Sequence, residues 1–190
     1  MKPFTQENNK SEYLVGRMSE KNRRGLNIFS KANAMQKITP CLWFDCQAEE
    51  AANFYTAIFS NSRIKRVSRY GKIGFEFHNQ PEGSVMTVEL ELDGQTFTAL
   101  NGGPTFKFNE AISFQVLCKT QDEVDYYWSR LSEDGDEQAQ QCGWLKDKFG
   151  VSWQIVPEVL GELICSSDSD KSQKTMQAVL QMKKIDIAKL

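Results

Sequence analysis

The chain has 190 residues, a formal net charge of −2, 40% hydrophobic and 25% charged residues, which is enough apolar material for one ordinary domain or two small halves sharing a core. The near-balanced charge supplies no broad basic surface for neutralising phosphates, which argues against a nucleic-acid partner. No apolar run approaches the roughly 18 residues of a membrane span and the N-terminus lacks the apolar core of a secretory signal, so a cytoplasmic protein with no membrane partner is expected.

Residues 1–34 are polar and hold seven Lys/Arg against three Asp/Glu. They read as a loosely ordered extension, or as an upstream start with Met35 as the natural one; a basic arm or targeting segment is the competing reading, opposed by Glu7, Glu12 and Glu20. From Ile38 the stretch ITPCLWFD alternates at strand length, and QAEEAANFYTAIF follows with helical spacing: Ala51, Phe54 or Tyr55, and Ile58 share a face, with Glu49 and Glu50 in the first turns. His78, the single histidine, falls in the polar hairpin-like stretch EFHNQPEG and reads as an exposed loop residue. VMTVELELDGQTFTALN is a hairpin turning at Asp93-Gly94, and Gly102-Gly103-Pro104 a turn or linker behind it.

A second strand begins at Ile112 (ISFQVLC), and TQDEVDYYWSRL follows as a helix with Thr120 and Glu123 spaced as a capping box. GWLKDKFGVSWQIVP is a second hairpin, turning near Phe149-Gly150. An offset of 73 residues superposes the two helices in phase, and an offset of 56 superposes the two hairpins, Gly94 on Gly150 and Phe97 on Trp153. Repetition at this scale predicts two βαβββ-like units, the second shorter between helix and hairpin. The expected division is an extension over 1–34, a first module over 35–104, a second over 105–160 and a helical tail over 161–190, where TMQAVLQM puts Met176, Val179 and Leu180 on one side.

Alternation splits each strand into a covered and an open face. Ile38, Leu42 and Phe44 fall on the covered face of the first strand, leaving Thr39, Cys41 and Trp43 open; Ser113, Gln115 and Leu117, then Thr87, Glu89 and Glu91, then Thr98, and then Ser152 and Gln154, are their open-face counterparts. This split and the 73-residue offset disagree by one position in the first strand, which predicts a bulge or slip near Pro40. The open face has the mixed character of a small-molecule pocket, with Trp43, Phe106, Phe108 and Trp144 as aromatic candidates for stacking a flat ligand. Glu89 is the candidate general base, on the expectation that partial removal from water raises its pKa. The five cysteines are odd in number, without a C-x-x-C pair, so neither a disulfide framework nor a zinc site is expected, and no cofactor is called for.

ITPCLWFD-x-QAEEAANFY, LNGGP-x-FKFNEAISF, CGWLKDKFGVSWQIVP and the terminal MKKIDIAKL together resemble the PhnB-like branch of the vicinal oxygen chelate (VOC) superfamily, which includes glyoxalase I, bleomycin-resistance proteins and extradiol dioxygenases. Some members of this branch carry the label 3-demethylubiquinone-9 3-methyltransferase. The resemblance implies an α+β fold of two βαβββ modules forming a cupped mixed sheet, usually in a homodimer. It also places the metal ligands of metal-using relatives, His or Glu, at positions that here hold Thr39, Thr98, Ser113 and Gln154. None is a histidine or a carboxylate, so a metal-independent protein that binds or transforms a small molecule is expected, with Thr39, Cys41, Trp43, Thr98, Ser113, Gln154, Phe106 and Phe108 toward the ligand. The alternatives are an S-adenosylmethionine-dependent methyltransferase, for which no Gly-rich strand-to-helix turn is present, and a non-catalytic sequestering dimer.

Overall fold

The computed structural model describes residues 37–190, so the extension over 1–34 and the start at Met35 lie outside the described residues. The first half runs β1 (Cys41–Phe44), α1 (Ala48–Ile58), β2 (Arg63–Arg69), a short α2 (Phe75–His78), β3 (Val85–Leu92) and β4 (Gln95–Asn101). Its sheet has the order β1-β4-β3-β2, with β1 parallel to β4 and the rest antiparallel. The second half runs β5 (Phe114–Cys118), α3 (Gln121–Leu131), β6 (Trp144–Lys146) and β7 (Ser152–Pro157), ordered β5-β7-β6 with β5 parallel to β7. The fold is α+β with two mixed sheets.

The two helices correspond residue for residue at the 73-residue offset. In the strands, Cys41 pairs with Thr98 while Gln115 pairs with Gln154, so β1 maps onto β5 one residue further on, at 74. The slip predicted near Pro40 therefore lies after the strand: three residues, 45–47, join β1 to α1, whereas two, 119–120, join β5 to α3. Thr39, and not Pro40, is thereby the counterpart of Ser113. The second module carries three strands where the repeat predicts four. Between Leu131 and Trp144 the sequence SEDGDEQAQQCG has no alternating apolar face to bury, and it forms a 3-10 turn at Glu137–Ala139 in place of a counterpart to β2.

Helices α1 and α3 pack against the sheets over the main apolar core, and a second, smaller cluster of Leu160, Val179 and Ile185 lies under the tail. Leu42, Phe44, Val88, Leu90 and Ala99 meet Ala51, Ala52, Tyr55 and Ile58 of α1, continuous with Val116, Val124, Leu131, Trp153 and Ile155 of the second half. Ile38, expected on this covered face, precedes β1 and is exposed, because the strand starts three residues later. At the centre sits Asp147, 2% exposed. Its Oδ2 accepts hydrogen bonds from the Tyr55 hydroxyl (2.7 Å) and the Trp153 indole (2.8 Å), and its Oδ1 accepts from the Phe149 and Val151 amides (2.9 and 3.0 Å). A carboxylate buried at this depth is tolerated only with such a full set of donors. Burial pushes its pKa up, and the bonds from Trp153, Tyr55, Val151 and Phe149 draw it back.

Each helix is capped differently. Thr120 Oγ1 accepts from the Glu123 amide as expected for the cap of α3, while Glu123 Oε2 reaches back one residue further, to the Lys119 amide. Gln47, at the start of α1, makes no cap with its side chain. Buried Asn101, from the end of β4, instead accepts the Ala48 amide on Oδ1 at 2.8 Å and donates to the Val85 carbonyl. The tail continues as α4 (Glu158–Ile164) and α5 (Ser169–Leu180). Thr175 and Val179 are the buried side of α5, while Met176 and Leu180 are exposed, so the expected apolar face is turned by about one position. Beyond α5, Ile185 is buried, and the Met182 and Lys183 carbonyls accept from the Cys142 and Gly143 amides.

Candidate functional site

Paired residues on neighbouring strands share a face, so the registers give the open face of the first sheet in rows. Cys41, Thr98, Glu89 and Arg66 form one row; Trp43, Leu100, Thr87 and Ser68 form the next. In the second sheet, Gln115, Gln154 and Trp144 correspond to the first row. Thr39 lies half-buried just ahead of β1, where the Pro40 carbonyl accepts from the Thr98 amide.

Glu89 is next to Thr98 as the sequence suggests, but its environment reverses the expected shift. Lys65 Nζ lies 2.9 Å from one carboxylate oxygen and an Arg66 guanidinium nitrogen 2.6 Å from the other. The hydrogen bonds from Lys65 and then Arg66 hold its carboxyl below the usual carboxylate range, so it is a weak base held ionised in a ladder with Arg63 and Glu91. The two basic partners come from β2, a strand that is charged on both faces and has no apolar alternation to reveal it. Cys41 is also poorly placed as a nucleophile, because partial burial pushes its thiol pKa up.

The polar positions of the second half satisfy one another. Gln154 Nε2 donates to Ser113 Oγ at 2.8 Å, and Gln115 Nε2 lies 3.3 Å from Gln154 Oε1. Ser113 and Gln115 line a groove of about 560 Å³ along β5, walled by Phe97, Leu117 and Tyr127. His78 is half-buried and engaged, unlike the exposed loop residue expected. Its ring lies against Tyr70 at 4.4 Å, and its Nδ1 accepts the Gln80 amide at 3.0 Å. That contact closes the loop between β2 and β3, away from the other polar positions.

Trp43, Phe106 and Phe108 come together in a cleft of about 300 Å³ between the end of β1, the linker after Pro104 and the β6–β7 turn. Its rings pack edge to face: Trp43 on Phe106 at 5.0 Å, and Phe44 on Phe108 at 5.2 Å and on Phe149 at 6.1 Å. The Asn101-Gly102-Gly103 segment holds the tryptophan. Its indole donates to the Gly103 carbonyl at 2.8 Å, and a Cβ on Gly102 would fall 2.2 Å from the ring, so only glycine fits there. Phe149, on the opposite wall, is held through its own amide by Asp147. The sequence reading missed Asp147, Phe149 and Lys146, although an Asp two residues before Phe-Gly in a tight turn, with Trp153 following, carries that signal. The residues expected toward one ligand are thus divided: Trp43, Phe106 and Phe108 share the cleft, and Ser113 faces a separate groove.

Of the four positions where metal-using relatives place ligands, this chain offers three hydroxyls and one amide, and two of those four groups are bonded to each other. Among the described residues no cluster of three or more His, Cys, Asp or Glu side chains is arranged to hold a metal ion. The donor set does not fit a divalent ion.

The sequence matches the family described as 3-demethylubiquinone-9 3-methyltransferase over residues 36–156. Among solved structures it is similar to the PhnB protein of Bacillus cereus, at 38% identity and a TM-score of 0.55, covering 64% of this chain and 99% of that one. A Pseudomonas aeruginosa protein shares the fold at 19% identity and a TM-score of 0.50, over 65% of this chain and 98% of its own. No curated protein matches the sequence. The chain belongs to the 3-demethylubiquinone-9 3-methyltransferase family, in the PhnB-like branch of the VOC superfamily.

Proposed function

We propose that this VOC-fold protein binds a small molecule without a metal ion, in the aromatic cleft between its two halves. The observation that carries the reading is a pre-formed cleft whose walls, Trp43 and Phe149, each donate a hydrogen bond to a group outside the lining, beside a set of ligand positions that lacks carboxylate and imidazole. Elemental analysis of the purified protein, combined with thermal-shift screening against a metabolite library, tests it. We expect less than a tenth of an equivalent of zinc, nickel or iron, and at least one compound that stabilises the protein saturably; stoichiometric metal removes the reading.

The methyltransferase in the family's description is not favoured. Gly102 and Gly103 are committed to the Trp43 ring, and the chain behind them runs as a linker to β5 with no helix to receive a nucleotide-like cofactor. Calorimetry with S-adenosylmethionine is expected to show no binding. Conversion of a bound compound would mark an enzyme, and its recovery unchanged a sequestering protein. A homodimer is proposed on the free outer edges of β1 and β5, neither of which pairs with a further strand among the described residues. Exposed Ile112 and Leu117 flank the second edge. Five unpaired cysteines support a reducing, cytoplasmic setting.

A further inference from the structure

The charges around the aromatic cleft are unequal in mobility. Lys146 projects from β6 into the lining with its side chain only 22% exposed, anchored by a strand that pairs along its length with β7. Its counter-charge, Glu110, comes from the linker between the halves and is 58% exposed. Lys107 is a second cation at the rim, and exposed Asp45 is the one carboxylate in the lining among the described residues. A half-buried ammonium therefore sits at the inner wall of an aromatic slot, neutralised by a carboxylate that water can replace at little cost. Glu110 is not itself part of the lining, and an anion entering the cleft would compete with its carboxylate for the same ammonium.

We propose that the cleft takes a flat, conjugated carboxylic acid, its ring against Trp43, Phe106 and Phe108 and its carboxylate on Lys146 in place of Glu110. This rests on the small-molecule reading above and adds the class of ligand. Ring faces supply affinity through stacking and area removed from water, and the ammonium selects the acid over a neutral ligand of the same shape. Lys107 adds long-range attraction at the mouth, which outweighs Asp45 because two cations face one anion there once Glu110 has swung away.

The test is isothermal titration of the full chain with naphthalene-1-carboxylate and, separately, with naphthalene-1-carboxamide, at low and high salt. The acid is expected to bind at least about five-fold more tightly than the amide at low salt, with the difference narrowing at high salt. Glu110→Gln, an exposed change that leaves the core untouched, is expected to tighten the acid by about two- to five-fold and leave the amide unchanged. Lys146→Gln is expected to weaken the acid by about ten-fold, with its unfolding midpoint recorded to exclude a loss of fold. Equal affinities for acid and amide, or a Glu110→Gln protein that binds the acid no better, overturn the proposal while leaving small-molecule binding in place. Absence of heat from both probes also overturns it, and only a failure of the wider metabolite screen would then remove the broader reading.

Discussion

Asp147 is the residue on which most of the second hairpin's geometry depends. Tyr55 reaches it from the first half, and burial followed by the neighbouring Asp147 pushes the tyrosine pKa well above its usual value. Hydrogen bonds to a charged acceptor contribute about 1.5–3 kcal/mol, so Tyr55→Phe is expected to lower unfolding stability in urea by about 2 kcal/mol. Asp147→Asn should cost more than Tyr55→Phe. Its amide NH2 would face donors in either orientation, the Trp153 indole on one side or the Phe149 and Val151 amides on the other, and leave a buried N–H without a partner. A variant with wild-type stability would show that the hub holds nothing. Little of this was readable beforehand, because a buried acid looks like a surface acid in sequence, and Tyr55 and Asp147 are 92 positions apart.

Glu89 shows the same difficulty with the opposite sign. Its open-face position followed from alternation, but the sign of its shift depended on β2, whose charged residues carry no period. A folded-state pKa below the unfolded value means stability that is present above the ordinary carboxylate range, near 4.3, and is lost as pH falls through the folded value. Wild-type protein should therefore lose stability on acidification below about pH 4.3 with a steeper slope than Glu89→Gln, and the difference should shrink at high salt because the pair is partly exposed. Parallel slopes would show that the ion pairs contribute nothing.

Among the elements, the helices were the most legible, because an apolar stripe and a first-turn charge are local properties. The cap on α3 was read from Thr120 and Glu123, four residues in one stretch of chain. The cap on α1 was invisible for the reason that Asn101 lies 53 residues from Ala48 and acts through a strand end. This difference has a measurable consequence. Thr120→Ala should cost about 1 kcal/mol, the usual value for an N-cap. Asn101→Ala should cost about 2 kcal/mol or more, since it strands the buried Ala48 amide and the Val85 carbonyl together. Urea unfolding of the two variants side by side decides this, and equal losses would mean that Asn101 is no more than a local cap. The missing fourth strand of the second half was half-legible: the shortening showed in the offsets, but the repeat argued for a strand that the polar residues 132–143 cannot make.

For the whole molecule, duplication was the strongest signal in the sequence; it found both helices and both hairpins and showed a one-residue difference between the copies, which lies after β1 and not near Pro40. Of the cleft proposed as the site, the aromatic part alone was named from the sequence. Trp43, Phe106 and Phe108 were identifiable as candidate ring contacts, whereas Lys146 and Phe149 enter the cleft only because the β6–β7 turn folds back onto the first half. Assembly is a property of this scale too. If the free β5 edge joins two copies, Leu117→Lys should turn a dimer of the wild-type chain into a monomer in analytical ultracentrifugation, without a change in unfolding midpoint at low protein concentration. A dimer that survives the substitution places the interface elsewhere.

The shared carboxylate also bears on how far the two halves remain separable. Each half keeps a sheet and a helix of its own. Yet Tyr55 of one half now finishes the turn of the other, and the indole that shares the same oxygen belongs to that other half. A chain cut in the linker would expose an aromatic hydroxyl on one fragment and an acid stripped of a donor on the other. The repeat in the architecture therefore does not make the halves independent, because each depends on the other for this one buried carboxylate.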